Sequence, residues 1–177
     1  MASRIDLSDL TPEWKQKFIG EHLPWKISQL RAYTKYGMLD NAAHKVGAAL
    51  DLSTCVAGRM LLEFLGVGLD RETLGKREPK GHDIWIKHFG IDPLDPKKHI
   101  DQTAHGVLVE FLHRGNKIAH VTYDFRMEKQ GKRDGHQSIR DAVPTIERLM
   151  VEHFYTPLGE SLRDLDDLEI LKRITAP

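Results

Sequence analysis

The chain has 177 residues, a length for one ordinary domain, and its 40% hydrophobic content can supply a core while 29% charged residues suit a soluble surface. Its 26 basic and 26 acidic side chains cancel, which excludes a global field that recruits nucleic acid, so polyanion binding would need a local patch. The single cysteine, Cys55, excludes an intramolecular disulfide, and no run approaches the ~18 apolar residues of a membrane span, so the expectation is a soluble, cytoplasmic protein that contacts no membrane.

Residues 11–36 read as a first helix. Thr11 is placed to cap it, Pro12 falls at the first helical position, and Glu13 complements the dipole. Pro24 should kink or divide it, leaving WKISQLRAYTKY as the better-formed half. Residues 39–65 are the most apolar long segment. Ala42, Val46, Leu50, Val56, Met60 and Phe64 recur at helical spacing, and Leu52, Cys55, Leu62 and Leu65 widen the apolar surface, so this helix should be central. Cys55, among apolar neighbours, reads as a buried and inert thiol. Arg59 and Glu63, four apart, should meet on one face.

Residues 66–99 are rich in Gly, Pro, Lys and Asp and read as a long connection around the short piece HDIWIKHFG, with Trp85 and Phe89 forming an apolar cap on the core. A third helix covers residues 100–120, with Ala104, Val107, Leu108, Phe111 and Ile118 on its buried side. The polar break EKQGKRDG reads as a loop, residues 136–154 as a fourth helix made irregular by Pro144, and residues 157–174 as a last helix, acidic then basic as the dipole prefers. The sole alternating run of any length is HVTYDFR. The predicted fold is all-α, a single domain over 1–177: a four-helix up-and-down bundle with an additional C-terminal helix and a long loop between helices 2 and 3.

The chemistry concentrates where the third helix ends, in FLHRGNKIAHVT. Asn116 and His120 are four apart and share a face, and His113 lies seven before His120, near that face. Arg114 stands about a third of a turn away. It reaches His120 if the helix bends at Gly115, or if both side chains converge on a substrate lying across the helix or across a two-fold interface. Arginine offers a permanently charged fork matched to phosphate, and histidine gives or takes a proton near neutral pH. Such a set, with asparagine as orienter, needs no metal and no cofactor to cleave a phosphodiester beside a 2′-hydroxyl.

The run Arg114–Gly115–Asn116–Lys117–Ile118–Ala119–His120 resembles the arginine, four-to-six residues, histidine motif of the HEPN superfamily (higher eukaryotes and prokaryotes nucleotide-binding), and AGRMLLEFLG in the second helix looks like bacterial members. The resemblance covers about residues 27–155. It implies a helical bundle with the motif late in a core helix, metal-independent RNA cleavage, and a homodimer that brings two motifs together. It also implies a toxin or defence factor with a cognate antitoxin protein as partner. By that resemblance Arg114 and His120 are catalytic with Asn116 as orienter, while Arg59, Lys117 and His113 bind substrate. The commonest form of the motif has a polar residue directly after the arginine, where this chain has Gly115.

Two other readings compete. One is a non-catalytic helical module that binds a nucleotide, RNA or a protein through the same surface. The other is a purely structural bundle in which Arg114 pairs with Glu110 and His120 caps the helix. A metal site is not expected: His82 and His88 are six apart, as are His99 and His105, His44 stands alone, and no HExxH or Cys/His cluster occurs. The stretches KREPK, PKK and KQGKR read as solvated loops, or together with Lys117 as a rim for a phosphate backbone.

Overall fold

The computed structural model describes residues 10–36, 44–78, 83–119, 135–163 and 165, with the side chains of 44–46, 117–119 and 135 outside that description. Among these residues the chain is mostly helical, and its sheet is a two-stranded hairpin. HVTYDFR and His82 lie outside the described residues, as does the polar break up to Asp134.

Helix α1, Pro12–Lys17, starts as its sequence dictates: the Thr11 hydroxyl accepts from the Trp14 amide at 3.2 Å, with proline at the first position. The break expected at Pro24 takes the form of a wide π turn over Phe18–His22, after which α2 runs Leu23–Tyr36. A proline lacks an N–H and its ring crowds the carbonyl four residues back, and a widened turn ahead of it relieves both. Helix α3, His44–Phe64, is central, packing on α2, α5 and α6. Leu61, Leu62 and Leu65 are fully buried with Ile27 and Leu30 of α2, and Cys55 is buried as expected.

The predicted long connection contains a hairpin that the sequence reading missed. Strand β1, Val67–Asp70, pairs antiparallel with β2, Thr73–Lys76, with Gly68 opposite Gly75 and Leu69 opposite Leu74. Each strand is four residues long and carries a glycine, so no alternating apolar run betrays it, and the turn has Arg71 at φ 57° instead of a glycine or asparagine. Farther on, Phe89 joins an aromatic cluster with Phe18, Phe64 and Phe154, centroids 5.1 to 5.9 Å away. Trp85 stays outside that cap, with Lys87 lying over its ring.

After the short helix α4, Pro96–His99, comes α5, Gln102–Ala119, whose first turn is capped by Asp101 accepting from the Ala104 amide at 2.9 Å. Helix α6, Gly135–Met150, carries Pro144 on its exposed side and continues as a π turn over Val151–Tyr155. The last helix does not begin where expected. The chain makes a 3-10 turn at Thr156–Leu158, is capped by Gly159 at φ 69°, and is non-helical over residues 160–163. Pro157 limits the turn and a left-handed glycine ends it. Residues 166–177 lie outside the described residues.

No helix among the described residues is long and apolar enough to cross a membrane.

Candidate functional site

The site is set by how closely α5 approaches α3. A Cβ built on Gly58 would lie 2.5 Å from Phe111 Cζ and 3.0 Å from Leu30 Cδ1, so only glycine admits the Phe111 ring between α2 and α3. That contact brings the end of α5 onto a row of α3 residues spaced four apart: Asp51, Cys55, Arg59 and Glu63. Such a row climbs about 6 Å per step.

Arg114 lies at the first step. Its Nε donates to Asp51 Oδ1 at 3.3 Å and its Nη2 to Asp51 Oδ2, a side-on fork on a carboxylate whose residue is only 7% exposed. The Arg114 side chain keeps 24% of its exposure. Burial pulls its pKa down, but the hydrogen bond and charge of Asp51 outweigh that and hold it above its ordinary value. Arg114 Nη1 takes no part in the fork. The pairing of Arg114 with Glu110 is not what forms: Glu110 is exposed, and the cross-helix carboxylate offers two oxygens in a drier setting.

Gly115 sits at the second step. Helix α5 runs unbroken through it, so the expected bend does not occur. A Cβ there would lie 3.5 Å from that of Cys55, an ordinary contact. Burial, helped by the neighbouring Asp51, pushes the Cys55 thiol up to about 12, which makes it a packing residue and no nucleophile.

Asn116 occupies the third step, its Oδ1 accepting from Arg59 Nη1 at 2.9 Å. Arg59 Nε in turn donates to Glu63 Oε1 at 3.0 Å, so the expected i,i+4 pair is present and tied to the end of α5. The structure thus brings together Arg114, Asn116 and Arg59. His113 is half-buried one residue before Arg114 and makes no hydrogen bond to this network. The side chain of Lys117 and the whole of His120 lie outside the described residues.

Four participants escaped the sequence reading. Asp51 was hidden as one acidic residue in an apolar helix, although the spacing 51–55–59–63 was there to be read. Arg77, just past β2, places its Nε 3.0 Å from Glu63 Oε1, the same oxygen that receives Arg59. Tyr33 of α2 lies near Arg114, and its hydroxyl is hydrogen-bonded to His136 Nδ1, with the two rings stacked only 3° from parallel. Arg77 and His136 come from segments with no helical periodicity in common with α3 or α5.

Other histidines act as acceptors. Leu74 N donates to His105 Nε2, Trp85 N to His88 Nδ1 and Asp95 N to His99 Nδ1. Among the described residues no three His, Cys, Asp or Glu side chains gather as metal ligands would. Of the basic stretches, Lys76 pairs with Asp95 at 3.0 Å, Lys97 and Lys98 are exposed on α4, and KQGKR lies outside the described residues. Comparison with known proteins finds no matching family model, no matching curated protein and no matching solved structure.

Proposed function

We propose that this chain is a metal-independent endoribonuclease of HEPN type, a four-helix bundle that works as a homodimer in the cytoplasm. The observation that carries the reading is the Arg114 fork: an arginine late in a core helix, held side-on by a buried carboxylate, with Nη1 left for a phosphate oxygen. Six residues later the sequence supplies His120. Asn116, steadied by Arg59, stands two residues past Arg114 on α5.

In this chemistry a base takes the proton of the 2′-hydroxyl, whose oxygen attacks the adjacent phosphorus. The bond from phosphorus to the 5′-oxygen breaks, and that oxygen receives a proton. The products carry a 2′,3′-cyclic phosphate and a 5′-hydroxyl. Arg114 binds the phosphate and offsets its growing charge, His120 moves the proton, and Asn116 orients it. Lys117 and His113 flank the strand. Support for the homodimer comes from α3, where Leu52, Val56 and Met60 are 40%, 45% and 46% exposed in a stripe four residues apart. A second copy seated there would lie beside the Asp51–Glu63 row.

The test is cleavage of total RNA in EDTA between pH 6 and 8 by the wild type, His120→Ala and Arg114→Ala. The expected result is cyclic-phosphate ends from the wild type, a loss of about 10²–10⁴-fold without the histidine, and of about 10²–10³-fold without the arginine. Full activity in either variant sinks the assignment. A second reading, a non-catalytic module that binds RNA, rests on the same feature without turnover: Asp51 fixes the Arg114 guanidinium before a phosphate arrives. Absence of cleavage by the wild type would leave that reading standing.

A further inference from the structure

Glu63 receives two cations on one oxygen. Arg59 Nε and Arg77 Nε both lie 3.0 Å from Oε1, so two guanidinium groups share a single negative charge and the trio carries a net positive one. Their side chains are 41% and 38% exposed, and Glu63 is 29% exposed. Asn116 takes one further Arg59 donor. Arg59 Nη2 and both terminal nitrogens of Arg77 have no protein partner among the described residues.

Arg77 is built into place. Its amide donates to the Gly66 carbonyl at 2.8 Å, and its stem lies flat across β1 at Gly68, where an added Cβ would come within 2.6 Å of Arg77 Cδ. A side chain at position 68 would lift the arginine off the strand. Fixing a long side chain in advance lowers the ordering cost of binding, which is how a ligand site differs from a mobile surface cation. Lys76 next door is neutralised by Asp95, so the excess charge is local to the trio.

The trio lies at the far end of the row whose first member is Asp51 beneath Arg114. Twelve residues of α3 separate Asp51 from Glu63, which is about 18 Å of helix. Arg59 reaches back from there to Asn116, two residues past Arg114 on α5. We propose that Arg59 and Arg77, bridged by Glu63, form a phosphate-binding fork that holds the backbone of single-stranded RNA at a phosphate beyond the one on Arg114. The substrate class is then a strand with more than one phosphodiester, and a dinucleotide, which has one, cannot use the fork. The inference rests on the ribonuclease reading only for what happens at Arg114.

Binding of a fluorescein-labelled 12-nucleotide single-stranded RNA and of a labelled dinucleotide, followed by fluorescence anisotropy across salt concentrations, tests this in the chain carrying His120→Ala. Adding Arg77→Ala should weaken 12-mer binding about 5- to 30-fold and reduce the steepness of its dependence on log salt by about 0.7, one phosphate contact on a single strand. The dinucleotide should bind the two proteins equally. Gly68→Ala, which leaves the charge untouched, should reproduce most of the 12-mer loss. Thermal melts of each variant confirm the fold. Unchanged 12-mer affinity and salt slope in Arg77→Ala would overturn the fork, as would failure of the parent to bind the 12-mer. Equal losses for 12-mer and dinucleotide would overturn the fork as a second phosphate contact. Cleavage of a dinucleotide by the wild type reads Arg114 and His120 alone, so the ribonuclease can fail while the fork survives, and the reverse. An acidic peptide that competes with the 12-mer only in the presence of Arg77, with no RNA-length effect, would assign the fork to a protein partner and refute the RNA reading.

Discussion

Replacing Asp51 with alanine tests whether the α3–α5 seam is held by the fork on Arg114. Breaking a buried ion pair by removing one partner typically costs about 3–5 kcal/mol, because the remaining charge is stranded. Here Asp51 is 7% exposed, but Arg114 keeps a quarter of its exposure and can turn toward water. The expected loss therefore falls just below that range, about 2–3 kcal/mol. Asp51→Asn keeps an oxygen to accept from one guanidinium nitrogen and should cost less, about 1–2 kcal/mol. Urea unfolding followed by circular dichroism measures both, and a double-mutant cycle with Arg114→Ala isolates the pair. A coupling above about 1 kcal/mol is expected. A cost below about 0.5 kcal/mol for Asp51→Ala would place the pair among ordinary surface ion pairs and refute the reasoning.

Three further outcomes follow from the same packing. Gly58→Ala drives a methyl into the buried Phe111 ring and should lower stability by about 1–3 kcal/mol, whereas Gly115→Ala fits against Cys55 and should gain up to about 1 kcal/mol from helix propensity, both read from urea melts. Val56→Asp places a charge in the exposed α3 stripe and, for the proposed dimer, should shift sedimentation from dimer to monomer without changing the helical signal; an unchanged species would remove that stripe from the proposed interface. Stability should fall as pH drops below about 6.5, because His153 and His88 both have folded-state pKa values below their ordinary one. Burial is the main cause in each, aided by His99 and Arg148 around His153 and opposed there by Glu152, and aided by Lys15 at His88. The sign follows: the unfolded chain takes up protons first on acidification, so folding loses free energy there, and His153→Gln should flatten the slope of Tm against pH between 6.5 and 5.

The helices were legible because their signals are local. Thr11–Pro12 wrote its own start, and the apolar period of α3 marked it as central before any packing was known. Interruptions by proline were legible as positions but not as shapes, since whether Pro24 breaks a helix or widens one turn depends on what packs around it. The hairpin was illegible because strands of four residues with a glycine in each carry no alternation. At the candidate site the residue types were readable and their partners were not. Arg114 could be singled out, but Glu110 four residues back and Asp51 sixty-three residues back look equally available to a reader of sequence. Burial decided between them, and burial is a property of the α3–α5 contact at Gly58 and Phe111.

The Asp51 carboxylate carries two opposed consequences for Arg114. It fixes the guanidinium in one plane, so that Nη1 points one way and its ordering cost is already met when a phosphate arrives. It also cancels the charge that would draw that phosphate in, which weakens the encounter at long range. For a binding module the second effect dominates, because affinity for an anion grows with net charge. For a catalyst the first dominates, since stabilising the charge that develops on a phosphoryl oxygen needs a donor already aimed at it. Asp51→Asn separates the two: it removes the negative charge and keeps part of the hydrogen bonding. Tighter RNA binding with little or no cleavage would mark Asp51 as a brake on a binding surface. Slower cleavage with RNA affinity raised would mark it as the group that aims Arg114, and would tie the buried carboxylate of α3 to the chemistry at the end of α5.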